Sequence, residues 1–209
     1  MREYYAERAP HYDSLYARPE RQADLMVVQD QLKGLFSRKK VLEIACGTGY
    51  WTQAIAQTAE HILATDINEP MLEIARQKEY PAGKVDFQCI DMYQLTPGND
   101  DALFGGFIWS HIPLEQIGNW LDHLNGLIGK GGRAVFVDNL FVPGSSTEIA
   151  HTDANGNTFQ KRLLPDGSSH LIIKNFPQMA DFEKILKNKT KNWALTAYSH
   201  YWVLDYETV

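Results

Sequence analysis

The run Val41-Leu42-Glu43-Ile44-Ala45-Cys46-Gly47-Thr48-Gly49-Tyr50-Trp51-Thr52, with Asp66 closing the next apolar stretch from His61 to Thr65, leaves this chain few ways to fold. Val41 to Ile44 suits a strand buried on both faces, as in a parallel sheet. Gly47 and Gly49 permit a tight turn with positive φ, and a Cβ at either would block a ligand from the backbone. The residues after Gly49 read as a helix. Strand, glycine turn, helix and second strand form the repeating unit of a doubly wound α/β sheet, whose ligands bind beyond the carboxyl ends of the strands. Asp66 is therefore predicted beside the glycine turn, where its carboxylate can accept hydrogen bonds from a ribose diol.

Two nucleotide fingerprints fail. The dinucleotide pattern G-x-G-x-x-G puts a third glycine where this chain has Thr52, and no Gly-Lys-Ser/Thr P-loop occurs. The remaining pattern resembles the first motif of class I S-adenosylmethionine (SAM) methyltransferases. There an acid ends strand 1 before a glycine-rich turn and a second acid ends strand 2, matched here by Glu43 and Asp66. The family often has glycine where this chain has Ala45. The resemblance implies SAM as cofactor, S-adenosylhomocysteine (SAH) as product, and no metal.

It also implies a set of cofactor residues: Ala45, Gly47, Thr48, Gly49 and Trp51 in the motif, with Glu43 facing the cationic sulfonium and α-amino group. Asp66 takes the ribose, Ile67 and Met71 flank the adenine, and Asp91-Met92 reads the adenine edge. Trp109-Ser110-His111 matches the family's fourth motif, which places Ser110 near the methionine moiety. Tyr12-Asp13 resembles an N-terminal lid motif, with Tyr12 over the methionine carboxylate. Simpler readings stand beside these: Glu43 as a turn cap, Met71 and Tyr12 as packing residues, Asp91 as an N-cap.

Along the chain, 1–37 is predicted to be a helical N-terminal lid, with Leu25, Val28, Leu32 and Leu35 at helical spacing. Strands at 40–45, 61–66, 85–90, 102–110 and 133–138 alternate with helices at 50–59, after Asn68-Glu69-Pro70, and at 114–127. This is the SAM-binding core, 38–141. Residues 142–176 are an insertion: a polar loop over 143–157, then a β-hairpin of 158–164 and 170–174 around Pro165-Asp166-Gly167-Ser168. A helix at 178–187 and two β runs, 193–199 and 201–206, fill 177–209. The expectation is one methyltransferase domain, α/β, with a doubly wound, mostly parallel seven-stranded sheet (a Rossmann-like methyltransferase fold), a helical N-terminal segment and a hairpin inserted after strand 5.

Composition narrows the partners. At 209 residues, 44% hydrophobic and 22% charged, the chain is ordinary for a single globular domain. The net charge of −6, with no dense basic stripe, disfavours nucleic acid. Cys46 and Cys89 have neither metal-site nor disulfide spacing, and His151, His170 and His200 form no metal-ligand pattern. No secretory signal and no apolar run of about 18 residues is present, so a cytoplasmic protein with no membrane partner is expected. Oligomeric state cannot be read from the sequence.

Methyl transfer from SAM requires alignment more than covalent catalysis. His111, after the fourth strand, is the candidate base. If the hairpin pairs Arg162 with Lys174, two adjacent cations would suit a carboxylate or phosphonate. The stretch from Arg162 to Lys174, with Gly-Thr-Gly-Tyr-Trp-Thr at 47–52, is similar to small bacterial phosphonate O-methyltransferases. That likeness implies that Arg162 and Lys174 hold an oxyanion while Tyr16 or His111 positions it. The predicted reaction is O-methylation of a small anionic acceptor. Alternatives are N- or O-methylation of a neutral amine or phenol with His111 as base, an NAD-type oxidoreductase, or a non-catalytic SAM-binding protein.

Overall fold

The computed structural model describes residues 2–164 and 166–209. Its centre is a seven-stranded sheet. The strands are β1 (Lys40–Ile44), β2 (His61–Asp66), β3 (Val85–Cys89), β4 (Ala102–Gly106), β5 (Arg133–Asn139), β9 (Thr190–Ala197) and β10 (Tyr201–Thr208). Their order is β3-β2-β1-β4-β5-β10-β9. The first five run parallel, whereas β10 lies antiparallel to both β5 and β9. The order reverses between β1 and β4, and the crevice at such a reversal is where ligands bind in doubly wound sheets.

The apolar runs become strands because both faces are covered. In β1, Val41 packs on one side and Leu42 and Ile44 on the other; in β5, Val135 and Val137 oppose Ala134 and Phe136. One face is covered by α2 (Gln22–Leu35) and α3 (Tyr50–Ala56) through Leu25, Val28, Leu32 and Ile55. The other is covered by α5 (Ile117–Ile128) and α6 (Met179–Leu186) through Trp120, Leu124 and Phe182. Each such side chain contributes roughly 1.5–3 kcal/mol on burial. Pro70 opens α4 (Glu69–Arg76), and Gly129, at φ +66°, ends α5.

Two additions sit over the carboxyl edge. The N-terminal segment comprises α1 (Arg2–Arg8) and 3-10 turns over Ala9–Ala17 and Pro19–Arg21. The insertion forms a second sheet, ordered β6 (Ile149–Thr152), β7 (Thr158–Leu163), β8 (Ser169–Ile173). Buried Tyr4 packs with Leu164 and Ile172, which docks α1 onto this sheet.

The structure corrects three expectations. The loop predicted at 143–157 contains β6, whose four residues are all exposed and give no apolar alternation. The fourth strand stops at Gly106 rather than Ser110, because Phe107 adopts φ +59° and Trp109–His111 form a 3-10 turn. The hairpin pairs Arg162 with His170, not with Lys174, whose amide instead donates to the Thr158 carbonyl. Pro165 of the expected turn lies outside the described residues. No helix among the described residues is long and apolar enough to cross a membrane.

Candidate active site

The turn after β1 bends sharply: Ala45, Gly47 and Gly49 all have positive φ, at +50°, +57° and +77°. The Cys46 amide donates to the Thr65 carbonyl of β2, tying the turn to its neighbour. Asp66 sits where the two strands end. One carboxylate oxygen accepts from the Gly47 amide at 2.9 Å and the other from the Asn68 amide at 2.8 Å. Burial raises the Asp66 pKa, and these amide hydrogen bonds oppose the rise.

A cavity of about 250 Å³ opens here. Ala45 and Gly47 form its floor, with Asp66 and Ile67 beside them and Met71 reaching in from α4. Asp91, Met92 and Tyr12 line it as well. A methyl group built on Gly47 would stand 3.8 Å from the Tyr12 ring, so the floor is open to a ligand. The Oδ1 of Asn68, also on this wall, is buried and has no hydrogen-bond partner.

Five motif residues lie off the wall. Glu43 is buried under the turn with Oε2 unpartnered, and desolvation pushes its pKa up to about 8. The Thr48 hydroxyl donates to Asp13, which Lys78 also pairs at 2.7 Å. Gly49 serves packing rather than ligand approach, since a Cβ there would collide with Tyr80 Oη and sit 3.1 Å from Ala75. Trp51 lies beneath Gly106, where a Cβ would meet its ring at 2.6 Å. Ser110 is bonded to Lys174 through its hydroxyl and to Asp138 through its amide. The Asp91 carboxylate caps the next turn by accepting from the Tyr93 amide.

A second, smaller cavity, about 70 Å³, adjoins the first. Tyr5, Tyr12, Phe107 and His111 line both. The smaller one is cationic, lined by Arg8, Arg18, Arg21, Arg162 and Lys174 and by no carboxylate. Lys174 is buried, with its ammonium 2.8 Å from Asp138 and 2.6 Å from Ser110 Oγ. Burial lowers the Lys174 pKa against the pull of Asp138. Burial also works to raise the Asp138 carboxyl, but the Lys174 charge and the Ser110 amide outweigh it and hold the group low. The carboxylate accepts from Lys174, Ser110 and Asn139, so the pair stands ionised. Burial lowers Arg162 as well, and its guanidinium donates to Gln160.

His111 sits on the wall between the cavities. Its Nδ1 is 2.6 Å from the Ile173 carbonyl, which can only accept, so Nδ1 carries the proton. Tyr5 Oη, 2.9 Å away, then donates to Nε2. Desolvation, then the Lys174 charge, push the His111 pKa down to about 3. Tyr16 is on neither wall. It is buried in an aromatic stack on Tyr50, with centroids 3.5 Å apart.

The sequence reading did not single out Arg2, Tyr5, Asn68, Tyr93 or the Gly106-Phe107-Ile108 stretch on the larger wall, nor Arg8, Arg18 and Arg21 on the smaller. The Gly105-Gly106 pair ending an apolar strand was the signal available for that stretch. The arginines gave none, because a short helix and 3-10 turns bring them in from a segment without apolar periodicity.

A family model described as "Methyltransferase domain" matches residues 41–132. An uncharacterised methyltransferase of Bacillus licheniformis is 25% identical over 81% of this chain and 78% of its own length. A ubiquinone biosynthesis O-methyltransferase of Bordetella parapertussis is 30% identical over 65% of this chain and 55% of its own. In structure, a DhpI-SAM-HEP complex superposes with a TM-score of 0.81 over 98% of this chain and 94% of that one, at 24% identity.

Proposed function

We propose that the chain is a class I SAM-dependent methyltransferase that methylates an oxyanion of a small anionic acceptor of carboxylate or phosphonate type. The observation that carries this reading is the second cavity: four half-buried guanidiniums and a buried ammonium, with no carboxylate on its wall, in a chain of net charge −6.

The larger cavity fits the cofactor. Its open Gly47 floor admits a close ligand, and the unpartnered Asn68 Oδ1 and the Asp66 carboxylate offer acceptors to hydroxyl or amino donors. When bound, SAM supplies an electrophilic methyl carbon with its sulfur as leaving group. The chain's own residues then have two tasks. Arg162 and Lys174 replace the acceptor's hydration and fix one oxygen toward the shared wall. Tyr5, Tyr12 and Phe107 exclude water at that wall. An acceptor that arrives ionised needs no base, which agrees with a His111 that is held neutral and has both ring nitrogens engaged. A base with a pKa near 3 is poorly matched to a phenol or ammonium proton at neutral pH, so His111 is assigned to positioning.

A labelled-SAM transfer screen over small carboxylates, phosphonates, phenols and amines should give product with the anions only. Arg162→Ala should lower kcat/KM for the anion roughly 30-fold, about 2 kcal/mol of lost charge-assisted hydrogen bonding, with SAH affinity within twofold of wild type. Transfer to phenols or amines alone, or unchanged anion kinetics in Arg162→Ala, would overturn the reading.

A further inference from the structure

We propose that the acceptor carries two anionic groups, the reacting oxyanion held by Arg162 and Lys174 and a second anion held by Arg18 and Arg21. The inference rests on the anionic-acceptor reading above and goes further by naming a bis-acid.

Four of the five cations of the small cavity are anchored as two sets, and the fifth, Arg8, donates to the Tyr4 hydroxyl. Arg162 comes from β7 and donates to Gln160, which is itself tied to the Thr147 carbonyl. Lys174 follows β8 and is fixed by Asp138 and Ser110 at the sheet edge. Arg18 and Arg21 enter from the N-terminal segment and converge on one residue of the loop after β5. Arg18 donates to the Ser145 carbonyl at 2.9 Å; Arg21 donates to Ser145 Oγ at 3.0 Å and to Asn139 Oδ1 at 3.3 Å. The Arg21 Nε proton is buried and unpartnered. Tyr201 carries the Arg21 guanidinium on its ring face, 5.8 Å from centroid to Cζ, which fixes its position without neutralising it.

Charge accounting then separates the two sets. Asp138 balances Lys174. Among the described residues no carboxylate oxygen lies within ion-pair distance of Arg8, Arg18, Arg21 or Arg162. Glu20 is exposed and off the wall. A hydrogen bond with its own backbone, then the charges of Arg18 and Arg21, hold its carboxyl low; it reaches Arg21 only through the Ser145 hydroxyl, which donates to it at 3.4 Å, and pairs directly with neither guanidinium. Like charges lining one small cavity repel in a medium less polarisable than water. A single carboxylate or phosphonate at Arg162 and Lys174 leaves Arg18 and Arg21 without a directly paired anion, whereas a second anion on the same small molecule pairs with them. Planar guanidinium donors are suited to carboxylate or phosphonate oxygens in either place.

Calorimetry on the SAH-loaded protein tests this without turnover. The probes are 3-phosphonopropionate and propylphosphonate, matched in length and differing in the second anion. The bis-acid should bind at least tenfold more tightly, and the ratio should fall towards one in Arg18→Gln and in Arg21→Gln, with Tm checked for each. Two variants keep the test open if Arg21→Gln folds poorly. Equal affinities in the wild type, or a ratio preserved in both variants, would overturn the bis-acid and leave the anionic-acceptor reading intact. A fall in SAH affinity in either variant would place these guanidiniums on the cofactor's amino-acid end and also overturn it. Binding of neither probe to a protein that binds SAH would remove both readings together.

Discussion

Glu43 shows how one residue carries a cost that depends on what is bound nearby. It is buried, unpartnered at Oε2, and raised by desolvation to about 8. An unfolded glutamate titrates near 4.5. Between those values the folded state holds the extra proton, so stability falls as pH rises from about 4.5 through 8. At about 1.36 kcal/mol for each of the roughly 3.5 units crossed, the penalty by pH 8 is on the order of 4–5 kcal/mol. Glu43→Gln keeps the shape and removes the titration. It should raise Tm at pH 8 and leave it nearly unchanged at pH 5, as scanning calorimetry at the two values would show. An equal shift at both would mean that Glu43 is already ionised in the fold. The same variant bears on the cofactor. If Glu43 acts on the bound sulfonium through the floor of the cavity, SAM affinity should fall more than SAH affinity, since only SAM carries that charge.

At the level of elements, the turn from β1 to α3 is held by a packing constraint that the motif alone does not reveal. The sequence reading gave Gly49 a ligand-facing task. The structure instead gives it a left-handed φ of +77° and places Tyr80 and Ala75 against its Cα. Gly49→Ala should cost about 2–4 kcal/mol, combining backbone strain with a steric clash. Adding Tyr80→Phe removes the nearest clashing atom, so the double variant should be more stable than the sum of the singles, measured by urea unfolding. Strict additivity would place the cost in the backbone alone. The sheet itself was legible because Val41–Ile44, His61–Asp66 and Arg133–Asp138 are apolar runs that only a doubly covered strand explains. β6 was not, because all four of its residues are exposed. The Arg162–His170 register was missed because tightening the turn by a few residues changes which side chains oppose one another. Asp66 was placed correctly beside the glycine turn, whereas the Arg8, Arg18 and Arg21 cluster, separated from Arg162 by some 140 residues of chain, exists only after folding.

At the level of the whole molecule, the two cavities are joined by one wall, and the N-terminal segment contributes to both sides of it. Tyr5 and Tyr12 line both cavities, Arg2 only the larger, and Arg8, Arg18 and Arg21 only the smaller. The segment is docked on the periphery by Tyr4 on Leu164 and Ile172, the Tyr5–His111 bond, the Asp13 links to Thr48 and Lys78, the Tyr16 stack on Tyr50, and the bonds of Arg18 and Arg21 to Ser145 and Asn139. A short helix and 3-10 turns at the edge of the molecule open at a lower free energy than the central sheet does. Filling the larger cavity should therefore protect this segment first. At SAH concentrations of 100 times Kd, binding to the folded state alone adds about 2.7 kcal/mol, and a chain of this size should gain roughly 5–11 °C in Tm. NAD at the same concentration should add nothing. Under limited proteolysis, SAH should slow cleavage within residues 2–21 by a larger factor than cleavage within 149–173, because the hairpin touches the larger cavity only through its neighbours. Equal protection of both segments would mean that they open together as one unit. The acceptor could then enter only when the cofactor side is also exposed, and the water exclusion assigned to Tyr5, Tyr12 and Phe107 would have to be re-established after every binding event.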